Sequence, residues 1–418
     1  MDTCDFEFRD ACNDLDIRDF TYSQDLAVSL ARKKTIFIGA TSWENIPLVV
    51  ALKKIGADFW VVMNHIDSWV LCSLEDKDIK EVKDSVICAY GLREDERFLF
   101  SGNTQWFKKY SENKWLTYKI LQRNNIAVPR QTRFRNPYFF SPQSGLRKKS
   151  TSPYVSPSFS KRFLSEIQGD IVIKPNNWWR WEGVFIIPQD IKWQCNLTAA
   201  SHQNPVFLRI SKYKGNYPVF LAQERIPSFP IEKDGVKKDW NLRVLVTYCP
   251  NKKTHIIAGI TWRMDDDGGP VNRSISAENI SFEEIAKLCN WDTNTFKKVK
   301  QEVEDISLAS VNALVTAGER KWIRFSGLNF QDLAGVDIII NPDLKPYVLE
   351  VNDSNSGCVY ELFKLEGIEP IKKIAQSIKY KVNTFLGLWN LAQEISKQFT
   401  PEEILAIENG TVELNVSC

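Results

Sequence analysis

The sequence predicts a mixed chain, α/β at its front and α+β over the remainder, and three observations carry that reading. A strand, helix, strand order begins near residue 35, apolar strand-like runs dominate after residue 170, and a late pair of strands carries acids among its apolar residues.

At 418 residues the chain is long for one core, which suggests two or three domains of roughly 150 residues each. Hydrophobic residues make up 43% and charged residues 25%, the balance of a globular protein, so disorder of the whole chain is excluded. The 54 Lys and Arg nearly cancel the 52 Asp and Glu, leaving no global field to draw the protein to nucleic acid or an anionic membrane. Nine scattered cysteines without a CxxC read as reduced thiols, and only three His argue against a multi-His metal centre. The N-terminus is acidic where a signal peptide is basic, and the early apolar run IPLVVAL is too short to span a bilayer. A cytoplasmic protein is expected, acting on small molecules without nucleic acid or membrane as partner. The Asn409 and Asn415 sequons then read as chance matches.

TIFIG (35–39), the helical stretch ENIPLVVALKKIG and DFWVVM (58–63) form a βαβ pattern, continued by a helix near 74–83 and SVICAY (85–90). Without GxGxxG this segment indicates no dinucleotide site and reads as a scaffold or substrate-side Rossmann-like domain. Residues 136–160, rich in Pro and Ser with a basic knot at Arg147, Lys148 and Lys149, read as a long connection. The strands IVIKP, VFLRI, YPVFLAQE, LRVLVTY and HIIAGITWRM follow, the last two joined by the turn Cys249-Pro250-Asn251-Lys252-Lys253. Phe296, Val299, Val303, Ile306, Ser310 and Leu314 fall on one stripe of a helix over 295–317. A strand pair at 335–352 and a helix-rich tail close the chain.

Two stretches carry chemistry. After IVIKP comes a loop with Trp178, Trp179, Arg180 and Trp181 before Gly183, unusual because loops sit in water. It reads as a lid over a ligand or as packed core. In GVDIIINPDLKPYVLEVNDSNSG, the turn Asn341-Pro342-Asp343 reverses two apolar strands. If Ile340 pairs with Tyr347, Asp337 lies opposite Glu350, and Asn352 shares the face of Glu350 by the two-residue period. Opposed acids on a sheet repel, so a hard divalent cation taking oxygen ligands offsets the pairing. An exposed hairpin in another register is the alternative.

The hairpin resembles the C-terminal part of the ATP-grasp fold, whose D-alanine–D-alanine ligase branch has an Asp, then a Glu-x-Asn strand, then a Gly. The resemblance implies two α+β subdomains clasping ATP, with Asp337, Glu350 and Asn352 as Mg²⁺ ligands. Ser356 stands where the family more often has Pro before that Gly. Earlier segments resemble the family in order. Lys114, heading a helix before IAVP, and Lys174, ending IVIKP, would meet the phosphates. Gln223, Glu224, Arg225 and Ile226 would run along the adenine, with Glu232 as ribose partner. Arg243 and Arg263, the latter followed by Pro270-Val271-Asn272, would hold the transferred phosphoryl group. Arg180 would reach the γ-phosphate from a loop that lacks the family's glycines.

The implied division is an N-terminal domain over 1–100 and a first ATP-grasp subdomain over 101–222, with the 136–160 insertion and a lid loop at 175–183. A second subdomain over 223–370 and a helical tail over 371–418 follow. The implied activity is ATP- and Mg²⁺-dependent carboxylate-amine ligation through an acylphosphate, on an amino acid or peptide. A phosphotransferase and a non-catalytic ATP-binding interaction protein are the alternatives.

Overall fold

The structure, a computed structural model, describes residues 36–39, 48, 51–52, 54–57, 59–62, 88–90, 105–135, 166–176, 184–190, 219–233, 235–266, 280–322, 331–353 and 356–396. Near the front, β1 (Ile36–Gly39), β2 (Phe59–Val62) and β3 (Cys88–Tyr90) form a parallel sheet in the order β2-β1-β3. A helical turn carrying Leu48, Ala51 and Leu52 lies between β1 and β2 in the chain. Gly56 ends it at φ 62°, a left-handed position that suits a residue without Cβ. The expected helix at 74–83, the 136–160 connection and the strand VFLRI lie outside the described residues.

Helices α1 (Gln105–Glu112) and α2 (Lys114–Arg123) lead into an antiparallel sheet of β4 (Gln131–Arg135), β5 (Ile171–Pro175), β6 (Phe185–Ile187) and β7 (Val219–Glu224), in the order β4-β7-β5-β6. A second antiparallel sheet joins β8 (Ile231–Lys233), β9 (Val236–Cys249), β10 (Thr254–Asp266), β11 (Leu333–Ile340) and β12 (Pro346–Asp353). Its order is β10-β9-β11-β12, with β8 on β9. Between β10 and β11 run α3 (Phe282–Leu288) and α4 (Thr293–Trp322). After β12 come α5 (Ser356–Glu366) and α6 (Ile368–Ser396). Among the described residues no helix is long and apolar enough to cross a membrane.

Strand β9 alternates in the two-residue period, which decides what each face of its sheet can do. Trp240, Leu242, Val244 and Val246 point into the main core with Trp262 of β10 and Ile338 of β11. There Val299, Val303 and Leu314 of α4 cover them, as the helical stripe predicts. Trp240 and Trp262 are fully buried and stacked with centroids 5.2 Å apart, and Trp240 Nε1 donates to the carbonyl of Phe229. Truncating either ring would cost about 3–5 kcal/mol. Two of the many tryptophans are therefore core, the simpler of the two roles open to them.

The opposite face is divided. One half packs Leu245, Ala258 and Leu333 against Leu362 of α5 and Ile371, Ile374 and Ile378 of α6, with Leu48, Ala51 and Leu52 joining the same cluster. Gly259 is required there, because a Cβ on it would stand 2.3 Å from Leu362 Cδ1. Lys381 of α6 pins this layer through a fully buried ion pair with Asp332, at 2.8 Å. Helix α6 runs unbroken through residue 370 and β7 through residue 222, so two of the expected domain boundaries fall inside regular elements.

Candidate active site

The other half of that face is charged. The register sets Thr261, Arg243, Asp337 and Glu350 in one row across β10, β9, β11 and β12, and Arg263 opposite Asn241 one step along. The sequence-based pairing of Ile340 with Tyr347 is off by one, since Ile340 pairs with Pro346 and Ile339 with Tyr347. A shift between Asp337 and Ile338, where Leu349 is the extra residue of β12, brings Asp337 opposite Glu350 all the same. Asp337 is 6% exposed and both of its oxygens are held by Arg243, which is 7% exposed. Asn352 Nδ2 spans the two acids, donating to Asp337 Oδ2 at 3.3 Å and Glu350 Oε1 at 3.1 Å.

Lys114 approaches from the first residue of α2 and pairs with Glu350 Oε2 at 3.3 Å. Its position is fixed by two asparagines. Asn113 caps α2, accepting from the Leu116 amide, and Asn176 at the end of β5 accepts from the Trp115 amide at 2.9 Å. Asn176 Nδ2 also donates to Asn113 Oδ1, and the Lys114 amide donates to the Asn176 carbonyl. This clasp joins the start of α2 to the end of β5, where Lys174 is 7% exposed. Asn113 is legible in sequence as a helix N-cap. Asn176 carries no such signal, because its partner lies 63 positions away.

Burial lowers the Lys174 ammonium to about 8, with Lys114 adding to the fall and Glu350 and Asp337 opposing it. Burial pushes Glu350 up, but Lys114, Lys174 and Arg243 outweigh it and hold the carboxyl well below the usual range. For Asp337 burial dominates and raises it, aided by Glu350 and resisted by Arg243 and Arg263. The two acids are thus shifted in opposite directions.

Gln223 is buried and lines, with Ser111, Lys114, Thr117 and Glu350, a cavity of about 10 Å³, room for one water. At the end of β7 the Glu224 carboxylate accepts from the Arg130 amide, and beyond it Ile226 is half-buried. Arg225 pairs with Asp170 beside β5 at 2.9 Å and with Asp239 of β9 at 2.5 Å, tying the two sheets together beside a pocket of about 360 Å³. Glu232 stands exposed on β8 opposite Lys237, which lines that pocket. Arg180, Trp178, Trp179, Trp181 and Pro270-Val271-Asn272 lie outside the described residues. Sequence reasoning missed Asn113, Asn176 and Asn241. It also missed Gln131, whose Oε1, like Asn241 Oδ1, is buried with no hydrogen-bond partner among the described residues.

Two carboxylates and an amide within one residue's reach fit a hard divalent cation, once the Asn352 amide turns to present Oδ1 in place of Nδ2. Among the described residues no three His, Cys, Asp or Glu side chains gather as a metal centre, and here the third donor is an amide.

The arrangement of two antiparallel sheets with helices packed on them is shared with solved structures of low sequence identity. The chain is similar to a D-cycloserine synthetase, at 11% identity and a TM-score of 0.50 over 83% of this chain and 99% of that one. It is similar also to N5-carboxyaminoimidazole synthase from Aspergillus clavatus, solved in complex with ADP and 5-aminoimidazole ribonucleotide. That likeness has 9% identity and a TM-score of 0.50 over 84% of this chain and 77% of that one. At these identities the likeness is one of fold. No curated protein matches the chain. A family described as Initiator Replication protein, WH1, matches residues 252–373, under a third of the chain. Those residues are not a unit of their own, because β9, which precedes them, stands between their β10 and β11.

Proposed function

We propose that the chain is an ATP-dependent carboxylate-amine ligase that joins an amino acid or peptide carboxylate to an amine through an acylphosphate. The observation that carries this reading is the convergence of Lys114 and Lys174, from the first sheet and its helix, on Asp337, Glu350 and Asn352 of the second. In the proposed reaction a substrate carboxylate oxygen attacks the γ-phosphorus and ADP leaves. The amine nitrogen then attacks the acyl carbon, phosphate leaves and the nitrogen loses a proton.

Asp337, Glu350 and Asn352 would hold Mg²⁺, which when bound supplies Lewis-acid neutralisation of the phosphate oxygens. Lys114 and the buried Lys174 bind the polyphosphate as point charges, Lys174 strengthened by the low dielectric around it. Arg263 would offer its planar fork to the transferred phosphoryl group, with Arg243, whose fork is held by Asp337, as a second cation beside it. Gln223 to Ile226 would border the base, with the buried acceptor Gln131 Oε1 beside Gln223 awaiting a donor. Arg180 and the tryptophan loop would close the site and exclude water. Glu232, exposed on β8, would be the ribose partner.

The test is a panel of amino acids and short peptides with ATP and Mg²⁺, read by phosphate release and product mass. Substrate-dependent phosphate release is expected with an amide product, lost in Glu350→Gln at unchanged circular dichroism. A stable phosphorylated product would overturn the ligase reading, and near wild-type turnover in Glu350→Gln would overturn the metal site.

A further inference from the structure

In the ligand-free site both carboxylates are already paired within the chain, and among the described residues the cations outnumber them. Two carboxylates, Asp337 and Glu350, face four cations, Lys114, Lys174, Arg243 and Arg263. Lys174, Arg243, Arg263 and Asp337 are each 6 to 7% exposed, so solvent screens these charges little. Both oxygens of Asp337 are engaged by Arg243, and Glu350 is engaged by Lys114 on one oxygen and Asn352 on the other. Among the described residues, a free dication arriving here meets more cations than carboxylates and no carboxylate oxygen clear of a cation or an amide. A nucleoside triphosphate, with roughly four negative charges, meets the opposite field.

Resting on the ATP-ligase reading, we propose that Lys114 is an exchangeable counter-ion. It occupies Glu350 until the polyphosphate draws it away, so that Glu350 becomes a metal ligand only with nucleotide present. Metal and nucleotide then bind with positive coupling, and by linkage each raises the other's affinity by the same factor. Lys114 suits the exchange because its ammonium is a compact charge on a flexible stem, its backbone fixed by the Asn113 and Asn176 clasp while its head can swing. Arg243 suits a fixed role, since its fork holds both oxygens of Asp337 at once.

The test titrates the full chain with Mn²⁺ alone, read by electron paramagnetic resonance. A non-hydrolysable ATP analogue is then titrated calorimetrically with and without Mn²⁺. Mn²⁺ alone is expected to bind weakly, the analogue to bind without metal, and Mn²⁺ to tighten the analogue by about tenfold or more. In Lys114→Met the affinity for Mn²⁺ alone should rise by about fivefold or more and the coupling shrink, while Lys114→Arg keeps the coupling. Thermal melts confirm that both variants are folded. Equal Mn²⁺ affinity with and without the analogue, or unchanged coupling in Lys114→Met, overturns the exchange. An analogue that fails to bind under every condition overturns the ATP reading itself. Coupled binding without amide formation in the substrate panel leaves the exchange standing and removes the ligase chemistry.

Discussion

Lys174 should make stability and nucleotide affinity respond to pH in opposite directions. Its folded value is about 8 against an ordinary 10.5, so between those values the unfolded chain binds the proton that the folded chain has released. Stability therefore rises with pH in this window. From pH 7 to pH 9.5 the gain attributable to Lys174 is about 2 kcal/mol from the difference in proton binding. Met does not titrate, so urea unfolding of wild type and Lys174→Met at both pH values isolates it. The stability advantage of the Met variant should shrink by that amount on going to pH 9.5. Affinity moves the other way. If only the protonated lysine binds phosphate, wild-type affinity for an ATP analogue falls by about thirtyfold over the same range. A stability difference independent of pH would refute the burial argument, and an affinity independent of pH would remove Lys174 from the phosphate site.

Three further outcomes test the scaffold. Lys381→Met strands a fully buried Asp332 and should cost about 3–5 kcal/mol by urea unfolding, with much of the loss recovered in Lys381→Met/Asp332→Leu. Gly259→Ala should lose about 1–3 kcal/mol by overpacking against Leu362, and Leu362→Ala in the same chain should relieve the clash. Asn176→Ala removes two side-chain hydrogen bonds at the head of α2 and should lower the melting temperature, costing about 1–2 kcal/mol. It should also weaken analogue binding, because Lys114 loses its fixed base.

Much of the second sheet was legible because its elements announce themselves locally. The helical stripe of α4, the turn at Asn341 and the alternation of acids with apolar residues along β12 all follow from short-range periodicity. The pairing of Asp337 with Glu350 was reached through a register one residue wrong at Ile340, because a bulge leaves no mark in a single strand's sequence. The Arg243 clamp on Asp337, the Lys114 pair with Glu350 and the Asn113–Asn176 clasp were not legible. Each joins residues 63 or more positions apart, and one sequence holds no record of such proximity. The divided face of the sheet was hidden for the same reason, since only the packing of α5 and α6 shows which half is covered.

The measurement that bears most directly on the central claim is a crystal structure with a non-hydrolysable ATP analogue and Mn²⁺, with anomalous scattering locating the metal. The account predicts a manganese peak among Asp337, Glu350 and Asn352, with Lys114 moved from Glu350 to the phosphates and Lys174 beside them. Nucleotide bound away from these residues, or a metal peak elsewhere with the Lys114–Glu350 pair intact, would contradict it.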